Sequence, residues 1–181
     1  MAILKIARMG HPVLLQSCSA VEDPGHPDLR RLVADMIETM EDAGGIGLAA
    51  PQVHMALRLF VFRVPAERLA AEGGEEAVGA TVLINPVVEA LDEAKVEGWE
   101  ACLSIPGLRA AVPRHPRIRY RGVDCDGRAV AAEAEGLHAV VVQHENDHLD
   151  GVLYPMRMTD LSLMGFQDEM TRFAPVLAGE A

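Results

Sequence analysis

The chain has 181 residues, half of them hydrophobic, which is typical of a globular domain with its own core and excludes a disordered segment. Its 27 acidic residues outnumber its 16 basic residues and give a net charge of −11. Direct nucleic-acid binding is therefore not expected, because phosphate backbones attract basic surfaces. No apolar run approaches the ~18 residues of a membrane span, and the N-terminus lacks a secretory signal pattern. We expect one domain, residues 1–181, in the cytoplasm and away from membranes.

The first third of the chain is dominated by one amphipathic helix. Apolar residues recur at three- and four-residue spacing over residues 28–43, which predicts a helix that packs on the core. Before it, residues 3–6 form a short apolar run that indicates an edge strand, and Pro12 suits the first turn of a short helix. Residues 45–52 are rich in glycine and small side chains but lack the Lys-Ser/Thr of a phosphate-binding loop. An ordinary loop after the helix is predicted there.

The middle of the chain is rich in strand signals. Predicted strands cover residues 57–64, 81–88, 95–102, 110–112, 118–123 and 128–133. Pro86 indicates a bulge or an edge in the second of these, and Asp126-Gly127 is a hairpin-turn signal. Residues 65–80, rich in Ala, Glu and Gly, are predicted to form a mobile loop with one helical turn. A less regular helix is predicted over residues 161–173.

A further helix is predicted to begin near Leu137 and to end before Gly151, which is placed for a C-cap. Val141 lies on the same face as His144 and His148, so both imidazoles are expected to point into the core. Two neighbouring buried imidazoles need a polar or metal partner, whereas two surface histidines would need none.

The two histidines belong to a His-Glu-x-x-His pattern. At four-residue spacing on a helix their rings can bind one metal ion, with Glu145 beside them as general base. A catalytic site of this kind keeps three protein ligands and one position for water. The chain has three cysteines, an odd number that argues against a disulfide framework. Cys102, at the end of a predicted strand, is a candidate third ligand, although a free cysteine is more commonly a small buried hydrophobe.

Three segments occur in a fixed order: GIGLAAPQ at residues 45–52, EACLS at residues 100–104 and QHENDH at residues 143–148. Together they closely resemble the motifs of the peptide deformylase family, G-x-G-L-A-A-x-Q, E-G-C-L-S and Q-H-E-x-D-H. Ala101 stands where the family usually has glycine, which matters only if that backbone needs a positive φ. The resemblance spans nearly the whole chain. It implies an α+β fold in which small antiparallel or mixed β-sheets pack around the central helix with the HExxH motif.

The resemblance also implies a metal-dependent hydrolase that removes the formyl group from the formylmethionine of newly synthesised polypeptides and releases formate. In that case Cys102, His144 and His148 bind one divalent metal ion. Glu145 takes a proton from the water at the metal and later gives one to the leaving amine. Fe²⁺ is the metal expected in the cell, and Zn²⁺, Ni²⁺ or Co²⁺ would suit the purified protein.

The remaining site residues follow from the same resemblance. The Leu103 backbone N–H and the Gln52 side-chain amide are expected to hold the developing oxyanion. Glu100 and Arg114 are expected to pair and brace the cysteine strand. Arg109 resembles a family position near the substrate's peptide chain. The apolar candidates for the methionine pocket are Ile46, Leu137, Val140 and Val141, and each of them could equally be an ordinary core residue. The expected substrate-binding residues are Gly45, Ile46, Gly47, Arg109, Leu137, Val140 and Val141.

The expected partners are N-formylmethionyl nascent peptides and, as a candidate, the ribosome near its exit tunnel. The protein is expected to be a monomer.

Two alternatives to the deformylase function remain. A metallopeptidase shares His-Glu-x-x-His, but its third ligand typically follows the helix, whereas Cys102 precedes it. A deformylase-like binding protein without catalysis would be expected to have replaced Glu145, Gln52 or a metal ligand, and all of these are present.

Overall fold

The computed structural model describes residues 2–69, 77–175 and 177. The predicted α+β class is confirmed: two antiparallel sheets surround a central helix. The helices are α1 (Pro27–Asp42), α2 (Ala66–Leu69), α3 (Gly136–Leu149) and α4 (Gln167–Phe173). The strands are β1 (Gly47–Ala49), β2 (Leu59–Val64), β3 (Val78–Ala90), β4 (Val96–Cys102), β5 (Ile105–Arg114), β6 (Arg117–Val123), β7 (Ala129–Glu135) and β8 (Met164–Phe166). Short 3₁₀ turns cover Pro12–Leu15, Ala50–Val53, Tyr154–Met156 and Leu161–Leu163.

The larger sheet has strand order β1-β2-β3-β6-β7, and helices cover both of its faces. Phe60 and Phe62 of β2 pack in one cluster with α3, while Leu59 and Val61 pack in another with α1. Successive side chains of a strand point to opposite faces, so a strand covered on both sides must be apolar throughout. The continuous apolar run of β2 is therefore explained by its position between two helices.

The smaller sheet, with strand order β4-β5-β8, has a separate core of its own. Cys102, Ile105, Ala110 and Val112 pack there with the segment around Tyr154. Strands β4 and β5 form a tight hairpin whose register shifts between Ala101 and Cys102. This shift places Cys102 at the end of the strand, beside α3.

Helix α3 is buried along most of its length, as predicted for the helix with the histidine pair. His144, Glu145, Asp147 and His148 are all buried, although each is polar. The helix ends at a C-cap followed by Gly151, whose φ is 72°. A Cβ there would lie 2.8 Å from the Leu15 backbone, so both the turn and the neighbouring chain require glycine.

Three local predictions were wrong. Residues 3–6 form no strand, because the Leu4 N–H donates to Thr39 Oγ1 (2.9 Å) and the segment runs along α1. Residues 45–52 are not an ordinary loop, since they contain the edge strand β1 and a 3₁₀ turn. Residues 161–173 do not form one helix, because β8 pairs with β5 before α4 begins.

The segment over residues 65–80, predicted to be a mobile loop with one helical turn, contains that turn as α2. Residues 70–76 lie outside the described residues. Strand β3 begins at Val78, three residues earlier than the predicted strand.

The bulge predicted at Pro86 is confirmed. The register between β3 and β6 shifts between Ile84 and Val87, and Asn85 has a φ of 51°. The Asn85 amide compensates for this conformation by donating to the Val21 carbonyl and accepting from the Val21 N–H, both at 2.9 Å.

Within the described ranges, no helix combines the length and apolarity that a bilayer crossing requires.

Candidate metal centre

Cys102 at the end of β4 meets His144 and His148 of α3. One ligand atom from each residue lies within 4.8 Å of the other two, and all three side chains are buried. The Cys102 sulfur is 3.3 Å from His148 Nε2, and the two imidazole rings are 5.1 Å apart. Cys102 and His144 are 42 residues apart in the sequence. The end of β4 and one face of α3 nevertheless bring three metal-donor atoms close together.

A buried network of charges orients His144. Its Nδ1 is 2.7 Å from Glu100 Oε2, which leaves Nε2 as the ring nitrogen for a metal. Arg114 donates hydrogen bonds to both carboxylate oxygens of Glu100, at 2.6 and 3.1 Å, and to Asp147 at 2.6 Å. The predicted Glu100–Arg114 pair is therefore present. Burial tends to raise the pKa of Glu100, but hydrogen bonds from His144 and Arg114 outweigh it and lower that pKa to about 2.

Replacing Arg114 with glutamine is expected to destabilise the fold strongly. The substitution removes a buried cation from two carboxylates and leaves Glu100 with His144 and Asp147 with Arg157. Breaking a buried ion pair in this way typically costs about 3–5 kcal/mol. Urea denaturation would show this as a fall in the free energy of unfolding. Arg119→Gln is the matched control, since its pair with Glu133 is exposed and its loss should leave the unfolding midpoint unchanged. Equal midpoints for both variants would contradict the bracing role.

The electrostatics of the cluster suit a cation. Burial opposes a proton on His144, yet the Cys102 sulfur and the Glu100 carboxylate outweigh burial and raise the pKa of His144 well above its usual value. Burial, together with the positive charges of His144 and Arg114, lowers the pKa of His148 far below its usual value. His148 therefore stays neutral, the form in which an imidazole binds a metal. A thiolate and two imidazoles form a donor set typical of divalent metals such as zinc.

Glu145 is buried beside the cluster. Desolvation by burial raises the pKa of its carboxyl to about 7, which is suitable for a group that takes up and releases protons near neutral pH. Its Oε2 is buried without a hydrogen-bond partner among the described residues. The backbone of Gly47 in β1 lies against this carboxylate, and a Cβ at Gly47 would overlap it. The glycine thus allows β1 to approach closely enough to fix the carboxylate.

Gly47→Ala is expected to lower kcat by at least about tenfold without loss of bound metal. The added methyl group must displace the Glu145 carboxylate, and a 1 Å misplacement of a reacting group is costly. Steady-state kinetics and metal analysis of the same sample would test this. Gly98→Ala serves as the control, because a Cβ there meets nothing within 4 Å. Wild-type kcat in Gly47→Ala would show that the close approach is irrelevant to catalysis.

The Gln52 side chain is held with its amino group toward the cluster. Gln52 Oε1 accepts a hydrogen bond from the Ala49 N–H (2.8 Å), so the NH₂ group faces the other way. That group donates to Ser104 Oγ at 3.1 Å and lies 3.6 Å from the Cys102 sulfur. A buried amide N–H in this orientation can donate to an oxygen atom held near Cys102.

One cavity of about 520 Å³ joins these groups, and Gln52, Leu103 and Glu145 line it. All seven expected substrate-binding residues also line it: Gly45, Ile46, Gly47, Arg109, Leu137, Val140 and Val141. Arg68, Trp99 and Gln167 also line the cavity, although they were not expected from the sequence. Strand alternation could have linked Trp99 to Arg109 across the β4–β5 hairpin, whereas no pattern in the sequence connects Arg68 or Gln167 to the site.

Ala101 does not adopt a left-handed backbone. Among the described residues, positive φ angles outside glycine occur at His54 and Asn85. The methyl group that replaces the glycine of the resembled motif therefore causes no such strain, and the side chain is exposed.

A buried sulfur and two imidazoles, a carboxylate with a raised pKa and an oriented amide share one cavity in an α+β fold. These are the features of a hydrolase that uses a single metal ion.

Comparison with known proteins shows which hydrolase family this is. The polypeptide deformylase family model matches residues 3–163. The chain is 47% identical to peptide deformylase 1 of Nitrosomonas europaea over 93% of its own length and 94% of that protein. It is 49% identical to peptide deformylase 1 of Bordetella pertussis, with 90% and 92% of the two chains covered. The chain belongs to the polypeptide deformylase family, and the metal dependence of that family agrees with the Cys102 cluster.

Solved structures show the same fold. Peptide deformylase from Thermotoga maritima superposes with a TM-score of 0.79 at 34% identity, covering 88% of this chain and all of that one. The enzyme from Ehrlichia chaffeensis in complex with actinonin gives a TM-score of 0.81 at 34% identity, with 90% and 92% covered.

Proposed function

We propose that this protein removes the N-terminal formyl group from the formylmethionine of newly synthesised polypeptides. Water is added across the amide bond: the hydroxyl goes to the formyl carbon, a proton goes to the amine nitrogen, and formate leaves. The observation that carries the proposal is the convergence of Glu145 and the Gln52 amide on the Cys102 cluster within one cavity. Family membership supports the same reaction.

Each group has a defined task in this proposal. Cys102, His144 and His148 would hold one divalent ion, which when bound supplies Lewis acidity and a lowered pKa for water. Glu145 accepts a proton from the attacking water and passes it to the leaving nitrogen, a transfer that suits a pKa of about 7.

The other groups stabilise charge and place the substrate. The Gln52 amide and the Leu103 backbone N–H donate to the oxygen as negative charge develops on it. Gly45 and Gly47 allow the peptide backbone to approach closely, and Arg109 lies beside the chain that follows. The apolar side chains of Ile46, Leu137, Val140 and Val141 receive the methionine side chain.

We further propose Fe²⁺ as the metal in the cell. A thiolate with two imidazoles also accepts Zn²⁺, Ni²⁺ and Co²⁺, so the donor atoms alone do not select one ion. Metal analysis of protein purified without oxygen is expected to find iron at about one ion per chain. Stoichiometric zinc in fully active protein from the same preparation would refute this choice.

The setting of the reaction follows from its substrate. Formylated nascent chains are made in the cytoplasm, so we propose that residues 1–181 act there as one domain and as a monomer. We also propose a contact with the ribosome near its exit tunnel. Size-exclusion chromatography with light scattering tests the monomer, and co-sedimentation with ribosomes tests the contact.

Formate release from formyl-Met-Ala-Ser by the metal-loaded protein tests the function directly. Acetyl-Met-Ala-Ser is the matched control, because it presents the same peptide with one additional methyl group on the acyl carbon. We expect formate from the first peptide and little hydrolysis of the second. Cleavage of internal peptide bonds without formate would indicate a metallopeptidase. The absence of any hydrolysis would indicate a binding protein.

A further inference from the structure

Most arginines of this chain are neutralised by acidic partners. Ten of the fourteen lie within 4.0 Å of an aspartate or glutamate oxygen. Within the described part of the chain, Arg8, Arg68, Arg109 and Arg172 have no such partner. In a protein with a net charge of −11, arginines without acidic partners are unexpected, because carboxylates are abundant.

Two of these four arginines, Arg68 of α2 and Arg109 of β5, line the cavity of the metal centre. The two carboxylates that line the same cavity, those of Glu100 and Glu145, lie beside the metal ligands. Glu100 is held by Arg114 and His144, and Glu145 is buried beside Gly47. Among the described lining residues, the charged side chains away from the metal end are therefore Arg68 and Arg109.

The guanidinium of Arg109 is held in place by an aromatic ring. Ala101 pairs with Arg109 across the β4–β5 hairpin, and Trp99 lies two residues before Ala101 on the same face of the sheet. The Arg109 guanidinium carbon is 5.1 Å from the centre of the Trp99 ring. Stacking on a ring uses the face of the guanidinium and leaves its N–H edge free to bind a carboxylate with two hydrogen bonds.

Arg172 is in a different electrostatic environment. It lines a neighbouring hollow on α4, which Asp168 also lines, so the positive charge there is offset. Among the described arginines that line the cavity of the metal centre, both Arg68 and Arg109 are thus without an acidic partner.

We propose that Arg68 and Arg109 select formylated peptides that carry an acidic side chain within the three residues after formylmethionine. This specificity rests on the proposed deformylase activity and deepens it. Three extended residues span about 10 Å at ~3.3 Å each, which a cavity of about 520 Å³ can accommodate. The net charge of −11 repels an acidic peptide from the protein as a whole. Arg68 and Arg109 supply the local attraction that brings the peptide's carboxylate into the cavity.

The test compares formyl-Met-Ala-Ala-Ala amides in which one alanine, at position 2, 3 or 4, is replaced by Glu or Gln. The C-terminal amide removes the terminal carboxylate. At the best position, we expect kcat/KM for the Glu peptide to exceed that for the Gln peptide about fivefold. This ratio should fall to about twofold in Arg68→Gln or Arg109→Gln and to about one in the double variant. Salt at about 0.5 M should reduce it in the wild type.

Two controls separate a specific contact from net charge. Arg8→Gln removes an exposed arginine without an acidic partner that lines neither cavity, and it should keep the wild-type ratio. Trp99→Leu should lower the ratio because Arg109 loses its support, whereas Trp99→Phe should retain most of it. A loss of the ratio in Arg8→Gln would overturn the proposal.

The remaining outcomes are distinguishable. Equal rates for the Glu and Gln peptides at every position, with formate still released, would overturn the acidic preference and leave the deformylase intact. No formate from any peptide would overturn the proposed function itself. If the arginine variants keep the peptide ratio but bind a single-stranded RNA oligonucleotide less tightly than the wild type, the arginines serve RNA and the proposal is wrong.

Discussion

Replacing Glu145 with glutamine is expected to lower kcat by at least about 1,000-fold while the protein stays folded and keeps its metal. Glutamine has nearly the same shape, so the contact with Gly47 is preserved. The substitution removes the group that takes up and releases the proton, and general acid–base catalysis typically contributes 10²–10⁴-fold. Because Glu145 is not one of the three clustered donors, the metal should remain bound.

Three measurements on one preparation would establish this result. Formate release gives kcat, elemental analysis gives the metal content, and thermal unfolding gives the stability. A glutamine variant with more than about a tenth of the wild-type kcat would exclude Glu145 as the proton-transfer group. A variant that has lost its metal would instead indicate that Glu145 contributes to metal binding.

Replacing Cys102 with serine is expected to lower metal affinity by more than about 100-fold and to abolish activity with it. The loss should exceed the 10–100-fold typical for removing a group that only orients a ligand, because a thiolate donor itself is removed. Serine is a poor substitute, since its hydroxyl does not ionise at neutral pH as a metal-bound thiol does. Competition with a coloured chelator would measure the affinity.

The chain offers two matched controls for this variant. Cys18 is equally buried but packs between the larger sheet and α3, and Cys125 lies beyond β6 near Arg30. Cys18→Ser and Cys125→Ser should both retain the metal. If all three serine variants bound metal equally well, Cys102 would not be a ligand.

The parts of the site on regular elements could be predicted from the sequence. The face of α3 followed from its periodicity, and periodicity also showed that His144 and His148 point inward. Cys102 was expected at a strand end, and it ends β4. The bulge at Pro86 was predictable because proline cannot donate a hydrogen bond to a neighbouring strand.

The errors arose where an element is too short to show a period. Strand β1 has three residues, as does β8, and neither length can display alternation. The apolar run at residues 3–6 has strand-like composition, but the Leu4 N–H donates to Thr39 of α1 rather than to a neighbouring strand. Local composition does not reveal the partner of a backbone N–H group.

Contacts between distant residues were the other gap. The bond from His144 to Glu100 joins residues 44 apart, and the Arg114–Asp147 bond joins residues 33 apart. The Glu100–Arg114 pair was expected, whereas the part of Asp147 in that network depends on how the β5 hairpin lies against α3. Only the folded geometry shows this arrangement.

The position of Cys102 in a different core from the histidines has a mechanical consequence. The cysteine packs with the smaller sheet, whereas α3 packs on the larger one, so a shared ion would act as a cross-link between two separately packed bodies. Saturation at about 1,000 times the dissociation constant would add about 4 kcal/mol to stability. Chelation should therefore speed amide hydrogen exchange most in the β4–β5 hairpin, while β2 and β3, packed in the interior of the larger sheet, should stay protected.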